Sequence, residues 1–242
     1  MKILLTSPEQ RSLTGQPMYV KNLTKGLREL GHIVICAEQP FGDFDLAIIN
    51  DYYPECLGQF TAKKIYNFCH SKNPCDKPII DKRIDGYLAP REEVAEQWGN
   101  EIQIIPIPID ISRWHIPTIE HPNYRIIAPA TIDYLRLPMF KDLCSRANKF
   151  TEVWIVGKDC GAYFPLNKYV KVFPETPDIE LLMRQCDEVA GIYVGTITLE
   201  AWAMGLKTSV YDEYGNWKYV DKPNDFNKYD YLTVAKQFLN LI

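Results

Sequence analysis

Short apolar runs alternate with amphipathic stretches of helical period along this chain, the pattern of a parallel sheet with crossover helices. Residues 3–6 read as a buried strand and 7–17 as a loop. A helix follows, on which Val20, Leu23, Leu27 and Leu30 share a face, with Pro17 at its start and Gly31 at its C-cap. Strands are predicted at 33–37 and 46–50, and shorter ones at 65–68, 78–80 and 86–89. A helix over 90–98 carries Glu92 and Glu93 in its first turn, where the helix dipole favours acids. Between residues 105 and 125 the period is lost, because Pro106, Pro108, Pro117 and Pro122 exclude a regular helix or central strand. That segment reads as a crossover between domains, after which the alternation restarts. Strands are expected at 125–129, 153–156, 170–173, 189–194 and 208–211, and helices at 137–150, 179–186 and 197–204. A closing helix at 229–242 puts Leu232, Ala235, Phe238, Leu239 and Ile242 on one face. The fold class is therefore α/β, with two Rossmann-like lobes at 1–116 and 117–242 and the last helix packing back on the first lobe. A ligand is expected in the cleft between the lobes, outside the carboxyl ends of the strands.

Composition narrows the function. A chain of 242 residues with 46% hydrophobic content is too apolar for disorder, yet no apolar run approaches the roughly 20 residues of a membrane span. The N-terminal apolar run is too short for a signal peptide. A formal net charge of −4 argues against coating nucleic acid through bulk positive charge. One local tract, Lys63, Lys64, Lys72, Lys77, Lys82 and Arg83, is interrupted by Asp76, Asp81 and Asp85. It reads either as a track for a nucleic-acid backbone or as solvated surface. The seven cysteines form an odd set without a CxxC and sit partly in apolar runs, as in a reducing cytoplasmic protein. Cys69, His70 and Cys75 lack the paired spacing of a zinc site, so no metal is expected.

Neither GxGxxG nor GxxxxGK[ST] occurs, which removes support for hydride transfer and P-loop hydrolysis. Gly15, in the loop after the first strand, allows a backbone N–H to approach a phosphate or sugar closely. The strongest local signal is the segment 195–205, where a strand ending near Gly195 and a helix starting near Ile197 present free N–H groups and a positive dipole end to a diphosphate. Glu200, placed in the first turn of that helix, either accepts hydrogen bonds from a ribose diol or is an ordinary first-turn acid. His70, after a strand, can donate to a sugar hydroxyl or simply pack.

The stretch TLEAWAMGLKTSVYD resembles the LEAMAxGxPVV segment of GT-B nucleotide-sugar glycosyltransferases, especially glycosyltransferase family 4. Three other stretches are similar in order: MKILLTSPEQ…TGQPMYVKNLTKGLRELGHIVICAE, the strand-end Phe68-Cys-His-Ser71, and the crossover Ile105-Pro-Ile-Pro-Ile-Asp110…Arg113-Trp114. The resemblance covers nearly the whole of a chain that is short for that family. It implies the GT-B architecture and a metal-independent, retaining hexosyl- or pentosyltransferase without a cofactor, whose donor substrate is a nucleotide diphosphate sugar. By matching positions, Gly15 and the amides of Thr196, Ile197, Thr198 and Leu199 would meet the donor phosphates. Glu200 would hold the ribose, and His70 would sit near the transferred sugar. Arg136, with Lys141 in reserve, would balance charge on the leaving diphosphate. The family's other basic position falls on Thr131 or Ile132. A further glutamate that contacts the donor hexose is replaced by Ile192, with Asp187 and Glu188 as candidate substitutes. Asp43-Phe44-Asp45 resembles the DxD metal motif of the other glycosyltransferase fold but is expected in a loop. The acceptor expected is a glycan, a lipid-linked sugar or, as in a phage-type enzyme, a hydroxymethylated DNA base. The alternative is an inactive sugar-nucleotide-binding protein.

Overall fold

The computed structural model describes residues 1–6, 15–50, 56–70, 81–98, 101–114, 118–130, 136–157, 167–212 and 214–241. Its first sheet is built around β1 (Lys2–Leu5), where Ile3, Leu4 and Leu5 are all fully buried because both faces of the strand are covered. Helix α1 (Gly15–Glu29) leads to β2 (Ile33–Cys36), turning at Gly31, whose φ of +84° is the left-handed C-cap conformation that glycine adopts without strain. Strands β3 (Gly42–Asn50), β4 (Phe60–Phe68) and β5 (Gly86–Ala89) follow, then α2 (Glu92–Trp98) and β6 (Ile102–Ile104). The order is β2-β1-β3-β4-β5-β6, every pairing parallel. Tyr19, Val20, Leu23 and Leu27 of α1 fill one face, while Leu4, Phe44, Ala47, Ile49 and Phe60 form a second core on the other.

The second sheet runs through β7 (Tyr124–Pro129), α3 (Leu137–Ser145), β8 (Thr151–Val156), β9 (Val170–Phe173), α4 (Ile179–Met183), β10 (Glu188–Gly191), α5 (Thr196–Met204), β11 (Lys207–Tyr211) and β12 (Trp217–Tyr219). Its order is β12-β11-β10-β7-β8-β9, parallel except for β12. A 3-10 turn at Phe226–Tyr229 leads into α6 (Tyr231–Leu239), capped by the Asp230 side chain on the Leu232 N–H. Two compact units result. One comprises Met1–Ser12, Gln16–Ile109 and Asn227–Ile242; the other comprises Leu13–Gly15 and Asp110–Phe226. The chain therefore divides at Ile109/Asp110, before the expected 116/117. Helix α6 groups with the first unit through Val234, Ala235 and Phe238, and its buried face includes Tyr231 in place of Leu232. Ile109 bonds to the backbone of Tyr229 and Tyr231, fixing the entry to α6. Gly26 lets α6 approach α1: a Cβ there would lie 2.6 Å from the Tyr231 carbonyl oxygen.

Several sequence expectations change. Asp43-Phe44-Asp45 lies in β3, because Phe44 is buried while Asp43 accepts from Thr61, and Asp45 from Lys63 and the Lys2 N–H. Helix α3 ends at Ser145 rather than 150, since Asn148 turns the chain by pairing with the Thr151 backbone and accepting from the Phe150 N–H. Strand β10 stops at Gly191, short of 194. Strands β6 and β12 were absent from the sequence pattern. The strand expected at 78–80 lies outside the described residues. In the basic tract, Lys63 pairs with Asp45, Lys64 with Asp85 and Arg83 with Asp81, so its described part is a solvated surface of mixed charge.

Candidate functional site

In the second unit the candidate chemistry gathers where β10 passes into α5. Gly195 is the N-cap residue, and its carbonyl accepts from the N–H groups of Thr198 and Leu199 at 3.0 and 3.1 Å. The Thr198 hydroxyl accepts from the Gly195 N–H and donates to the Tyr193 carbonyl. Two of the four amides expected to bind phosphate are thus engaged within the turn. Those of Thr196 and Ile197, as the first two helical residues, have no intrahelical acceptor and point along the helix axis. Thr198 and Leu199 act as cap and core. Tyr193, 45% exposed, lies over the cap: a Cβ on Gly195 would come within 2.9 Å of its ring, so only glycine permits this approach. The Tyr193 hydroxyl accepts from Arg136 Nη2 at 3.3 Å. Arg136, the residue before α3, follows β7, the neighbour of β10, so adjacent strand ends bring a guanidinium, an aromatic ring and a helix N-terminus together. Lys141 is exposed farther along α3. Tyr193 was not foreseen, because a tyrosine between a strand and a glycine carries no sequence signature. Gly15 begins α1; Thr131 and Ile132 lie outside the described residues.

Glu200 sits in the second turn of α5, not the first, and is only 4% exposed. The helix is apolar nearly all round and packs on β10 and β11, which draws the carboxyl into the interior. Burial pushes its pKa up to about 8, opposed by the positive charge of Arg113 and reinforced by the negative charge of Glu180. Arg113 itself forks onto Glu180 at 3.1 and 3.2 Å. Its turn is held by Asp110, which accepts from the Ser112 hydroxyl and the Arg113 N–H. Around pH 7 Glu200 is mostly a protonated acid, able both to donate and to accept.

In the first unit, His70 lies beyond the end of β4, between the rings of Tyr19 and Phe68, with centroids 4.6 and 4.7 Å away. Burial drives its pKa down to about 3, so it is neutral near pH 7. Its Nε2 is 3.1 Å from Oδ1 of Asn50, the fully buried last residue of β3. The Asn50 backbone N–H donates to Thr6 Oγ1 beyond β1. Three neighbouring strands thus end in a polar cluster. The Asn50 Nδ2 group has no hydrogen-bond partner, a deficit of about 1–3 kcal/mol for a buried donor. Sequence reasoning placed Asn50 only as the last residue of the strand at 46–50, where nothing in its residue type marks a site.

Other candidates lie elsewhere. Ile192 packs against the core of the second unit. Glu188 is fully buried at the amino end of β10, accepting from Tyr124, Ser209 and Tyr219, and Asp187 accepts from the Arg125 N–H. Both stand at the end of β10 opposite α5, so neither replaces the missing glutamate. A cavity of about 430 Å³ beside His121, Asp187 and Lys207 opens at that same amino end, whereas ligands of such sheets bind at the carboxyl ends. Among the described residues no group of three or more His, Cys, Asp or Glu is placed to hold a metal, and no helix is long and apolar enough to cross a membrane. Cys75 lies outside the described residues.

No family model matches the sequence, and neither does any curated protein. Solved structures do match in fold. AviGT4, a glycosyltransferase involved in Avilamycin A biosynthesis, aligns at a TM-score of 0.66 and 13% identity over 99% of this chain and 96% of that one. HepE of Anabaena, in complex with UDP and glucose, aligns at 0.60 and 13% identity over 86% of this chain and 80% of that one. An alpha-glucosyltransferase in complex with UDP and a 13-mer DNA containing a HMU base aligns at 0.59 and 11% identity over 86% and 79%. The fold is thus the two-lobed GT-B fold of glycosyltransferases.

Proposed function

We propose that this protein is a glycosyltransferase that moves a sugar from a nucleotide diphosphate sugar, with UDP as the first nucleotide to test, to a hydroxyl acceptor with retention of configuration. The observation that carries the reading is the junction of β10 and α5, where the free amides of Thr196 and Ile197 and the guanidinium of Arg136 converge around Tyr193. A diphosphate suits that junction, since amides and guanidinium supply positive potential where leaving-group charge develops. Glu200 would accept from the ribose hydroxyls, Gly15 would approach the donor phosphates through its N–H, and His70 would meet a sugar hydroxyl. Lys141 is a second cation for the leaving group. In this reading the catalysis needs neither metal nor cofactor, and the odd number of cysteines without a CxxC fits a cytoplasmic location. A screen of UDP-, GDP-, ADP- and dTDP-sugars for binding and donor hydrolysis tests it. Turnover of at least one is expected, and absence of all nucleotide binding would overturn it.

A DNA-base acceptor is a second reading, favoured by the likeness to the alpha-glucosyltransferase bound to DNA. Sugar transfer to duplexes containing hydroxymethylated bases tests it. Ile192, in place of a hexose-binding carboxylate, favours a non-catalytic sugar-nucleotide binder. Donor binding without turnover for any acceptor would support that alternative.

A further inference from the structure

We propose that Asn50 is a positioning residue that holds the His70 imidazole in its Nε2–H form and presents its own buried amide Nδ2 to a neutral sugar hydroxyl. The first half follows from hydrogen-bond chemistry alone. An amide oxygen can only accept, so the His70 nitrogen 3.1 Å from Asn50 Oδ1 must carry the proton, and Nδ1 is left as the acceptor nitrogen of the ring. Asn50 is itself fixed, because it is fully buried at the end of β3 and its backbone N–H is tied to Thr6.

The second half rests on the glycosyl-transfer reading. With Oδ1 committed to His70, Nδ2 is a buried donor without a partner, and an oxygen arriving with a ligand satisfies it. Among the described residues, the Tyr19 ring of α1, the Phe68 ring of β4 and the Asn50 amide of β3 pack on His70, and each of these presents a neutral group to it. Such surroundings match a hydroxyl better than a phosphate or carboxylate. Both a donor sugar and a free acceptor sugar carry that chemistry.

The test is nitrogen-15 NMR of the full-length protein, with His70 assigned through His70→Gln and the Asn50 side-chain amide through Asn50→Leu. Wild type is expected to show an Nε2–H tautomer at His70 and no titration above about pH 5. Asn50→Asp should raise the proton affinity of His70 at least tenfold, because a carboxylate then faces Nε2. An Nδ1–H tautomer in wild type, or an unmoved His70 titration in Asn50→Asp, would overturn the positioning role. For the ligand, the Asn50 amide signal is followed with UDP, UDP-glucose and methyl α-glucopyranoside. A shift with UDP-glucose beyond that with UDP assigns the amide to the donor sugar, and a shift with the free glycoside assigns it to an acceptor sugar. An amide that stays unmoved both while UDP-glucose binds and with the free glycoside overturns the hydroxyl contact. If no nucleotide sugar binds and the glycoside leaves the amide unmoved, the glycosyl-transfer reading and the hydroxyl contact fail together, while the tautomer result still decides the positioning role.

Discussion

Replacing Glu200 by glutamine should make the protein more stable at alkaline pH while barely changing it at acid pH. Burial lifts the Glu200 carboxyl from 4.5 to about 8, so the folded state retains a proton that the unfolded chain releases between those values. Stability from this group is therefore complete below about pH 4.5 and is lost as the pH rises through about 8. At about 1.4 kcal/mol per pH unit, that interval sets a ceiling of about 5 kcal/mol, and relaxation around the charged form should bring the loss nearer 2–4 kcal/mol. Glutamine keeps the shape and cannot ionise. Urea unfolding of both proteins between pH 5 and pH 9, followed by tryptophan fluorescence, measures the difference. Trp114, Trp154, Trp202 and Trp217 all lie in the second unit and Trp98 in the first, so the signal reports mainly on the unit that contains Glu200. Glu200→Gln should exceed wild type by about 2–4 kcal/mol at pH 9 and match it within about 1 kcal/mol at pH 5. Parallel stability curves would refute the reasoning, since they would mean that Glu200 ionises as freely in the fold as in the unfolded chain. On the proposed function, ribose hydroxyls stabilise the carboxylate, so wild-type nucleotide affinity should also climb as pH rises toward 8.

Tyr193→Phe removes the hydroxyl that meets Arg136 in a solvent-facing position. It should cost less than about 1 kcal/mol of stability but lower the turnover of a nucleotide sugar about 3- to 10-fold; unchanged turnover would remove the tyrosine hydroxyl from the site. Arg136→Ala should reduce turnover by about 100-fold or more with a smaller change in donor affinity, measured by steady-state kinetics. Gly26→Ala gains roughly 1 kcal/mol of helix propensity, yet sets a methyl against the backbone of α6. A net loss of about 1–2 kcal/mol is expected in chemical denaturation. For Glu152, burial alone would raise the pKa, but hydrogen bonds from Trp154, Lys171 and Asn123 prevail and pull it down to about 2. The stability it contributes is present above about pH 4.5 and lost as pH falls through 2, so Glu152→Gln should flatten the acid limb of the stability curve.

The two-lobed α/β pattern was legible because its main strands are continuous apolar runs and its first and last helices have clean faces. What escaped was set by tertiary context. Strand β6 is an edge strand with Gln103 and Ile104 exposed, and it abuts the proline segment, so no run marks it. Strand β12 has three residues and exists only by pairing with β11. The start of β3 was hidden by two aspartates whose cross-strand partners on β4 lie far away in sequence. At the candidate site, the glycine turn and the helix after it could be read from residue types, whereas Glu200 could not be placed. Whether an acid on a helix is buried depends on what packs around that helix, and periodicity fails when all sides are covered. The pairing of Asn50 with His70 depends on β3 and β4 ending side by side, which only the sheet register reveals.

Helix α6 gives the molecule an order of assembly. The second unit's long segment, Asp110–Phe226, is continuous in sequence, whereas the first unit takes Val234, Ala235 and Phe238 from the far end of the chain. On a ribosome the strands of the first unit emerge earliest, yet the apolar face of α1 stays partly uncovered until α6 has been made. The strands and α1 of the first unit therefore wait for α6, and through that interval their uncovered apolar surface is open to non-native association.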